Sequence, residues 1–458
     1  MKVLKFGGSN LKNAKGFLDV AKIIKNEEEK TVIVLSGVCG VTDTLQIFLN
    51  YNKFDEIALN GLIQHLKRLH FRISSEAISD IAILKKVQNT LHKKLEKLER
   101  LLRGVYYVGE LTDRTKDLIL SYGERLSVSV LAGILVDQGV KAKAFEADNL
   151  GVLTNGDFGN AVAVLNPVSK NLKKNISPLF DKNIIPIITG FFGCDKSGHT
   201  TLFGRNGSDY SASVIAYAID ADEVNLWKDV DGFMSADPTI IKDSYLLKNL
   251  SYNEAAELSY FGAKILHPRT VEPLIKKGIK LIIKNPNNPQ KIGTEIGNNN
   301  DKKQSIKSVA NSKDIACIKI HGAGIGYKPG VLSEIAFYFS SNKINIKSVI
   351  TSQTCITILL EKKDLNRSYN ILAEKQIETV EKIEQIKDIV LIGIVGEGIS
   401  NNHGIAARVF SSIAQEGINI ELISAGASEV AYYFIIKDRF LEPALKAIHK
   451  ELKTLTVK

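Results

Sequence analysis

Val3-Leu4-Lys5-Phe6-Gly7-Gly8-Ser9-Asn10 opens the chain with a short apolar run that breaks into two glycines. The run reads as a buried strand and the glycines as a turn at its carboxyl end. Two glycines let backbone N–H groups approach phosphate oxygens, and a helix after the turn would present its positive end to them. Lysine precedes the glycines here, whereas in a P-loop it follows them. A plain strand–turn–helix with an exposed lysine reads equally well at this point.

The same alternation continues outward from that stretch. Strand patterns recur at 31–35, 142–146, 152–154, 184–189, 223–226 and 280–283. Helical patterns lie between them, at 14–25, 81–102, 113–138, 208–219 and 253–260. Continuous apolar strands alternating with amphipathic helices predict a mostly parallel sheet covered on both faces, a three-layer α/β/α sandwich. The Gly- and Asn-rich segment 293–303 is the expected boundary, so the first domain is expected over 1–295.

Beyond it the period changes. Two units follow with the order strand, helix, strand, strand, helix. They share a local signature: Lys328-Pro329-Gly330-Val331 corresponds to Asn402-His403-Gly404-Ile405, and Lys343-Ile344-Asn345-Ile346 to Gly417-Ile418-Asn419-Ile420. This is an internal repeat of about seventy residues, the size of a small α+β module rather than of a solenoid unit. The second unit runs out of chain before a fourth strand, while 305–310 alternates like a strand without a partner. The first module, 313–385, is therefore expected as an insertion in the second, 304–312 with 386–458.

Bulk properties exclude several classes. The 458 residues carry 44% hydrophobic and 24% charged residues, ordinary for a globular chain. No apolar run approaches the ~18–20 residues of a membrane span, and the immediate strand pattern at Met1 leaves no room for a signal peptide. The net charge of +10 sits on lysine-rich helical surface rather than in a basic run interleaved with aromatics, so neither nucleic acid nor membrane is an expected partner. Cys39, Cys194, Cys317 and Cys355 show no C-x-x-C spacing and no Cys/His cluster. That reads as reduced thiols in a cytoplasmic protein with no protein-built metal site.

Further segments carry chemistry. Ser36-Gly37-Val38-Cys39-Gly40-Val41-Thr42-Asp43 puts small and hydroxyl residues after a strand, as a ligand crevice needs. Gly123-Glu124-Arg125 lies in a helical pattern, where Glu124 could hold an ammonium, although a surface ion pair is the plainer reading. Gly204-Arg205-Asn206-Gly207-Ser208-Asp209-Tyr210 is a glycine-rich turn opening a helix. It combines an arginine fork for a carboxylate, Ser208 as N-cap, and an aspartate able to orient a lysine or Mg²⁺. Trp227-Lys228-Asp229-Val230-Asp231-Gly232, Asp237-Pro238 and Phe261-Gly262-Ala263-Lys264-Ile265-Leu266-His267-Pro268 complete the series, with His267 read as structural.

Taken together and in this order, these motifs resemble aspartokinases of the amino-acid kinase superfamily, and the tail repeats resemble ferredoxin-like ACT modules. The resemblance covers essentially the whole chain and is nearest to the kinase half of bifunctional aspartokinase–homoserine dehydrogenases. It implies transfer of the ATP γ-phosphoryl group to L-aspartate with ATP and Mg²⁺. Lys5 would contact the transferring phosphate, with Gly7, Gly8 and Ser9 donating backbone N–H groups to it. Ser36, Thr42 and Glu124 would line the aspartate pocket, Arg205 would grip the α-carboxylate, Ser208 and Asp209 would shape the phosphate and metal region, and Asp229 and Lys264 would lie along the nucleotide. An amino-acid effector would sit near Lys328, Val331, Asn345 and Ile346, with the modules pairing chains into a dimer or larger. Threonine is the expected effector, since Lys347 stands where lysine-inhibited relatives carry an acidic residue. Some positions depart from the family: Asn10 replaces Ser or Thr, Lys228 replaces threonine, Thr239 replaces arginine, and Met234 replaces a larger residue. The rival readings are another amino-acid kinase, such as a glutamate kinase, and a non-catalytic sensor built on the same fold.

Overall fold

The opening apolar run forms β1, Lys2–Phe6, in the middle of an eight-stranded sheet. A computed structural model describes residues 1–50, 55–262, 265–298, 306–400 and 402–454. The chain divides into two compact units. One is Met1–Phe233 with Leu246–Ala256 and Lys264–Asn299; the other is Met234–Tyr245 with Glu257–Ala263 and Asn300–Lys458.

In the first unit β1 is followed by β2 (Thr31–Leu35), β3 (Ala142–Phe145), β4 (Ile185–Thr189), the hairpin β5 (Phe192–Cys194) and β6 (Thr200–Leu202), β7 (Glu223–Trp227), β8 (Asn249–Ser251), β9 (Lys280–Lys284) and β10 (Glu295–Gly297). The large sheet runs β3-β4-β2-β1-β7-β9-β10-β8 and is parallel except where β10 meets β9. Val3, Leu4, Phe6, Val32, Ile33, Val34 and Leu35 are fully buried, so both faces are covered, as a continuous apolar strand demands. The helices form two packed groups. Ala14–Lys25, Glu56–Ala77, Ile81–Val108 and Tyr122–Asp137 make one, and Leu165–Phe180 and Gly207–Ile219 the other. These are the two covers of the sandwich.

Several elements differ from the sequence reading. Val41–Asn50, Glu56–Ala77 and Leu165–Phe180 are additional helices. The helix expected over 81–102 runs on to Val108 and stops at Gly109, whose φ of 73° is a left-handed cap that glycine adopts without strain. The helix expected over 113–138 breaks at Ser121 into Asp113–Leu120 and Tyr122–Asp137. The stretch Asp113–Asp137 is also apolar and long enough to cross a membrane, contrary to expectation, but its most apolar 18-residue window is 89% buried inside the protein. Residues 152–154 form only isolated bridges, Leu153 to Cys194 and Thr154 to Ala163.

The second unit holds two antiparallel four-stranded sheets. Its strands are β11 (Ser308–Ser312), β12 (Ile315–His321), β13 (Ile346–Thr351), β14 (Cys355–Glu361), β15 (Lys382–Ile386), β16 (Ile389–Val395), β17 (Leu422–Ser424) and β18 (Ala431–Lys437). One sheet is β13-β14-β12-β15, whose fourth strand the sequence reading missed. The other is β11-β16-β18-β17, in which Val309 stands opposite Ile394 across the whole intervening module. Each sheet has its own apolar core, around Ile318, Phe339 and Ile358 in one and Ile392, Ile413 and Phe434 in the other.

Candidate active site

The carboxyl ends of β2, β1 and β7 lie side by side, and the chain order reverses there, which is where an open α/β sheet forms its ligand crevice. Lys5 rides on β1 one residue before its end, and its Nζ lies 2.6 Å from Asp209 Oδ1. Asp209 sits in the first turn of the helix Gly207–Ile219. Its other oxygen, Oδ2, accepts a hydrogen bond of 2.7 Å from Nζ of Lys228, the residue following β7. The Lys5 and Asp209 side chains are only 7% and 3% exposed, so these charges face each other with little water between them. Burial pushes the Asp209 carboxyl up, but the Lys5 and Lys228 ammoniums override it and hold it down at about 2. Burial lowers the Lys5 ammonium, and Asp209 opposes that while Lys228 adds to it. One carboxylate thus serves two cations.

The helix start differs from expectation. Asn206, at φ 55°, is the N-cap and makes no side-chain cap, whereas Ser208 lies inside the helix. Ser208 is instead packed on Gly190: a Cβ there would come within 2.8 Å of the Ser208 Cβ, and the Gly190 N–H bonds Leu35 O. The helix therefore seats directly on the ends of β2 and β4.

At the glycine turn, Gly7 N–H donates to Asn10 Oδ1 at 3.0 Å. Gly7 N–H, expected to face a phosphate, is engaged inside the loop by that bond. A short 3₁₀ turn, Gly8–Asn10, follows, and the next helix begins only at Ala14, capped by Asn13. Asn10, noted in the sequence only as a departure, is thus a buried loop cap.

Beside this head lies a second group. Glu124 is 4% exposed on the helix Tyr122–Asp137, and its Oε1 accepts from Gly37 N–H at 3.0 Å. Its Oε2 is buried with no hydrogen-bond partner. Burial pushes its carboxyl up to about 8, with the Gly37 N–H and the Lys5 ammonium pulling the other way. Thr42 Oγ1 would lie 2.6 Å from a Cβ on Gly123 and 3.2 Å from one on Gly37, so only glycines admit this hydroxyl. Ser36 closes the loop, its carbonyl accepting from Ser127 Oγ at 2.7 Å. A Cβ on Gly8 would sit 3.2 Å from Gly37 O, so the two loops abut.

Arg125, the next residue, makes no part of this group. It is 7% exposed and locked by Glu146, Asp148, Ser121 and Thr200. The surface ion pair expected for Glu124 and Arg125 is therefore wrong on both counts, since both residues are buried. Arg205 and Asp229 are exposed on turns at the rim, and Lys264 lies outside the described residues. Arg269 was not singled out by sequence. Its guanidinium stacks 4.9 Å from the Tyr210 ring and donates to Ala161 O and Phe203 O, pinning the approach to the Gly204–Asp209 turn. Its place directly after His267-Pro268 was the available signal. His267, read as structural in the sequence, caps the short turn that follows it, its ring accepting from Arg269 N–H.

The model described as the amino acid kinase family matches residues 1–285, and two ACT domain models match 311–374 and 392–452. Fold and site thus define an amino-acid kinase with ACT domains. Aspartokinase 1, chloroplastic, of Arabidopsis thaliana is 32% identical over 98% of this chain and 79% of its own. The bifunctional aspartokinase/homoserine dehydrogenase of Buchnera aphidicola is 31% identical over 99% of this chain and 56% of its own. Aspartokinase III of E. coli, solved in complex with aspartate and ADP, matches in fold with a TM-score of 0.84 at 23% identity, over 99% of this chain and 100% of its own. The chain belongs to the aspartokinase family.

Proposed function

We propose that this aspartokinase transfers the γ-phosphoryl group of ATP to the side-chain carboxylate of L-aspartate. The product is 4-phospho-L-aspartate, the first intermediate of lysine, threonine and methionine biosynthesis, made in the cytoplasm. The observation that carries this reading is Glu124 Oε2, a buried carboxylate oxygen with no partner beside the Lys5–Asp209 pair. Buried polar groups are rarely left unpaired, and an amino-acid ammonium supplies both the hydrogen bond and the opposite charge. Its arrival would return Glu124 to the ionised form.

The chemistry follows from charge. An aspartate side chain with a reference pKa of ~3.9 is ionised at neutral pH and needs no general base. The obstacle is bringing one anion up to a polyanion. Lys5 neutralises the transferring group, Gly8 and Ser9 offer backbone N–H groups, and Asp209 and Ser208 hold that corner of the crevice. Ser36, Thr42 and Glu124 orient the acceptor, and the exposed Arg205 closes on its α-carboxylate. Asp229 and Lys264 lie along the nucleotide. Among the described residues no three acidic, His or Cys side chains cluster to hold a metal. Mg²⁺ would ride on the ATP phosphates, where Asp209 and the exposed Asp229 are the acidic side chains that would hold it. It supplies further charge neutralisation there.

The tail would bind an amino-acid effector, threonine rather than lysine, and pair chains into a dimer or larger. Aspartate-dependent ADP release tests the core of this reading. Lys5→Ala should lower kcat at least ~100-fold, the effect of one preorganised charge lost, with the fold left intact. Wild-type turnover in that variant would remove Lys5 from the mechanism.

A further inference from the structure

Lys228 directly follows β7, and the sequence assigned it no role. We propose that Lys228 is a positioning residue for phosphoryl transfer, holding Asp209 from the side opposite Lys5 and adding a second positive charge to the head of the crevice. This rests on the reading of Lys5 and Asp209 given above.

Geometry is the first support. Each Asp209 oxygen has its own ammonium, Lys5 at 2.6 Å and Lys228 at 2.7 Å. The terminal torsion of a carboxylate is broad and soft, and two ammoniums on opposite oxygens fix it. Lys228 is itself anchored, since its backbone N–H donates to Lys284 O at 2.8 Å. The neighbouring Lys284 ammonium is engaged elsewhere, over the Trp227 ring at 5.4 Å.

Charge is the second. With Asp209 ionised, two lysines against one carboxylate leave a surplus of one positive charge. Lys228 is 17% exposed against 7% for Lys5, so it lies on the open side of the pair. Partial exclusion of water makes that surplus act more strongly on an approaching phosphate than a surface lysine would. The charged groups that act on Lys5 are Asp209, Lys228 and Glu124. Removing Lys228 takes away the one that repels its proton and leaves Asp209 to Lys5 alone. Both changes move Lys5 toward tighter proton binding.

The test compares Lys228→Met and Lys228→Arg with the wild-type full chain. Two readouts are taken across pH: kcat and KM for each substrate, and competitive acetylation of the Lys5 amine followed by mass spectrometry. Lys228→Met should lower kcat about tenfold or more while leaving KM for aspartate nearly unchanged. The alkaline limb of kcat and the midpoint of Lys5 acetylation should both move up by at least about half a pH unit. Lys228→Arg should restore most of kcat and the original limb. The acetylation midpoint is readable even in an inactive variant, and an unmoved midpoint overturns the proposal. So does a raised KM for ATP with unchanged kcat, which would make Lys228 a nucleotide contact only. Lys5→Ala is measured alongside. Retained turnover there overturns the reading of the pair and the inference with it, whereas with Lys5→Ala inactive, a failure of the Lys228 series counts against Lys228 alone.

Discussion

Two clusters of buried charge lie in the first unit, on either side of the peptide joining Glu124 to Arg125. In one, Arg125 reaches Glu146, Asp148, Ser121 and Thr200, Lys94 braces Glu146 at 2.8 Å, and the guanidinium lies 4.5 Å from the Phe192 ring. Each of these charges has an opposite partner. In the other, Glu124 Oε2 is unpartnered and Asp209 is outnumbered by lysines. Leaving a buried polar group without a partner is costly and rare, and in Glu124 that burial also holds the carboxyl up at about 8. The first cluster is closed by the protein's own side chains, whereas the second leaves Glu124 Oε2 without a partner.

The comparison breaks most readily at Arg125. Arg125→Met would leave Glu146 and Asp148 buried with Lys94 alone between them, and should destabilise the protein by about 3–5 kcal/mol in urea unfolding. Stability equal to wild type would show that this cluster is not what holds β6 to the start of its neighbouring helix.

Glu124→Gln should act in the reverse way. Removing one member of a buried charge pair costs about 2–5 kcal/mol, so KM for aspartate should rise about 30- to 4,000-fold. The unliganded protein should lose no stability. The wild-type Glu124 carboxyl stands at about 8, above its ordinary 4.5. Between those values the folded state holds a proton that the unfolded state releases, so stability falls as pH rises, by up to about 1.4 kcal/mol per unit, and levels off above about 8. Glu124→Gln should remove that slope, as should saturating aspartate. A slope that persists in the variant belongs to some other group.

How much of this was readable in the sequence depends on what each residue answers to. β1, β2 and β7 were readable because continuous apolar strands have few alternatives. Glu56–Ala77 was missed, although Leu59, Leu62, Ile63, Leu66 and Ile73 fall at helical spacing, because His65, Lys67, Arg68 and the buried His70 dilute the stripe. The motif residues Lys5, Asp209 and Glu124 were found by type and order. Their states were not readable, since a lone Glu-Arg pair looks the same whether solvated or split between two clusters. Lys228 was visible only as a departure, because its significance lies in reaching an aspartate 19 residues away.

A smaller effect concerns the acceptor. If Glu124 and Arg205 fix the ammonium and α-carboxylate, glutamate's extra methylene misplaces its side-chain carboxylate. Aspartate should be preferred about 10- to 200-fold in kcat/KM. Comparable rates would mean that Glu124 does not set the acceptor's position and would favour the glutamate-kinase reading.

The smallest effect is expected in the second unit, where a charge is again already occupied. The Lys347 ammonium on β13 lies 5.1 Å from the centre of the Tyr260 ring, and the Tyr260 hydroxyl donates to the Lys347 carbonyl at 2.6 Å. Lys328 is paired with Glu378, Val331 and Ile346 pack into the first module's core, and Asn345 is exposed beside them. A lysine effector placed here would bring a second ammonium toward Lys347 with no carboxylate on that strand to receive it. A threonine effector brings only a hydroxyl. Titrating kinase activity with each amino acid should therefore show little response to lysine. Any inhibition by threonine should correspond to the ~1–3 kcal/mol typical of allosteric coupling. Lys347→Glu should raise sensitivity to lysine by exchanging the repelling charge for an attracting one. Strong lysine inhibition of the wild-type chain would mean that Lys347, held over its ring, leaves room for a second cation.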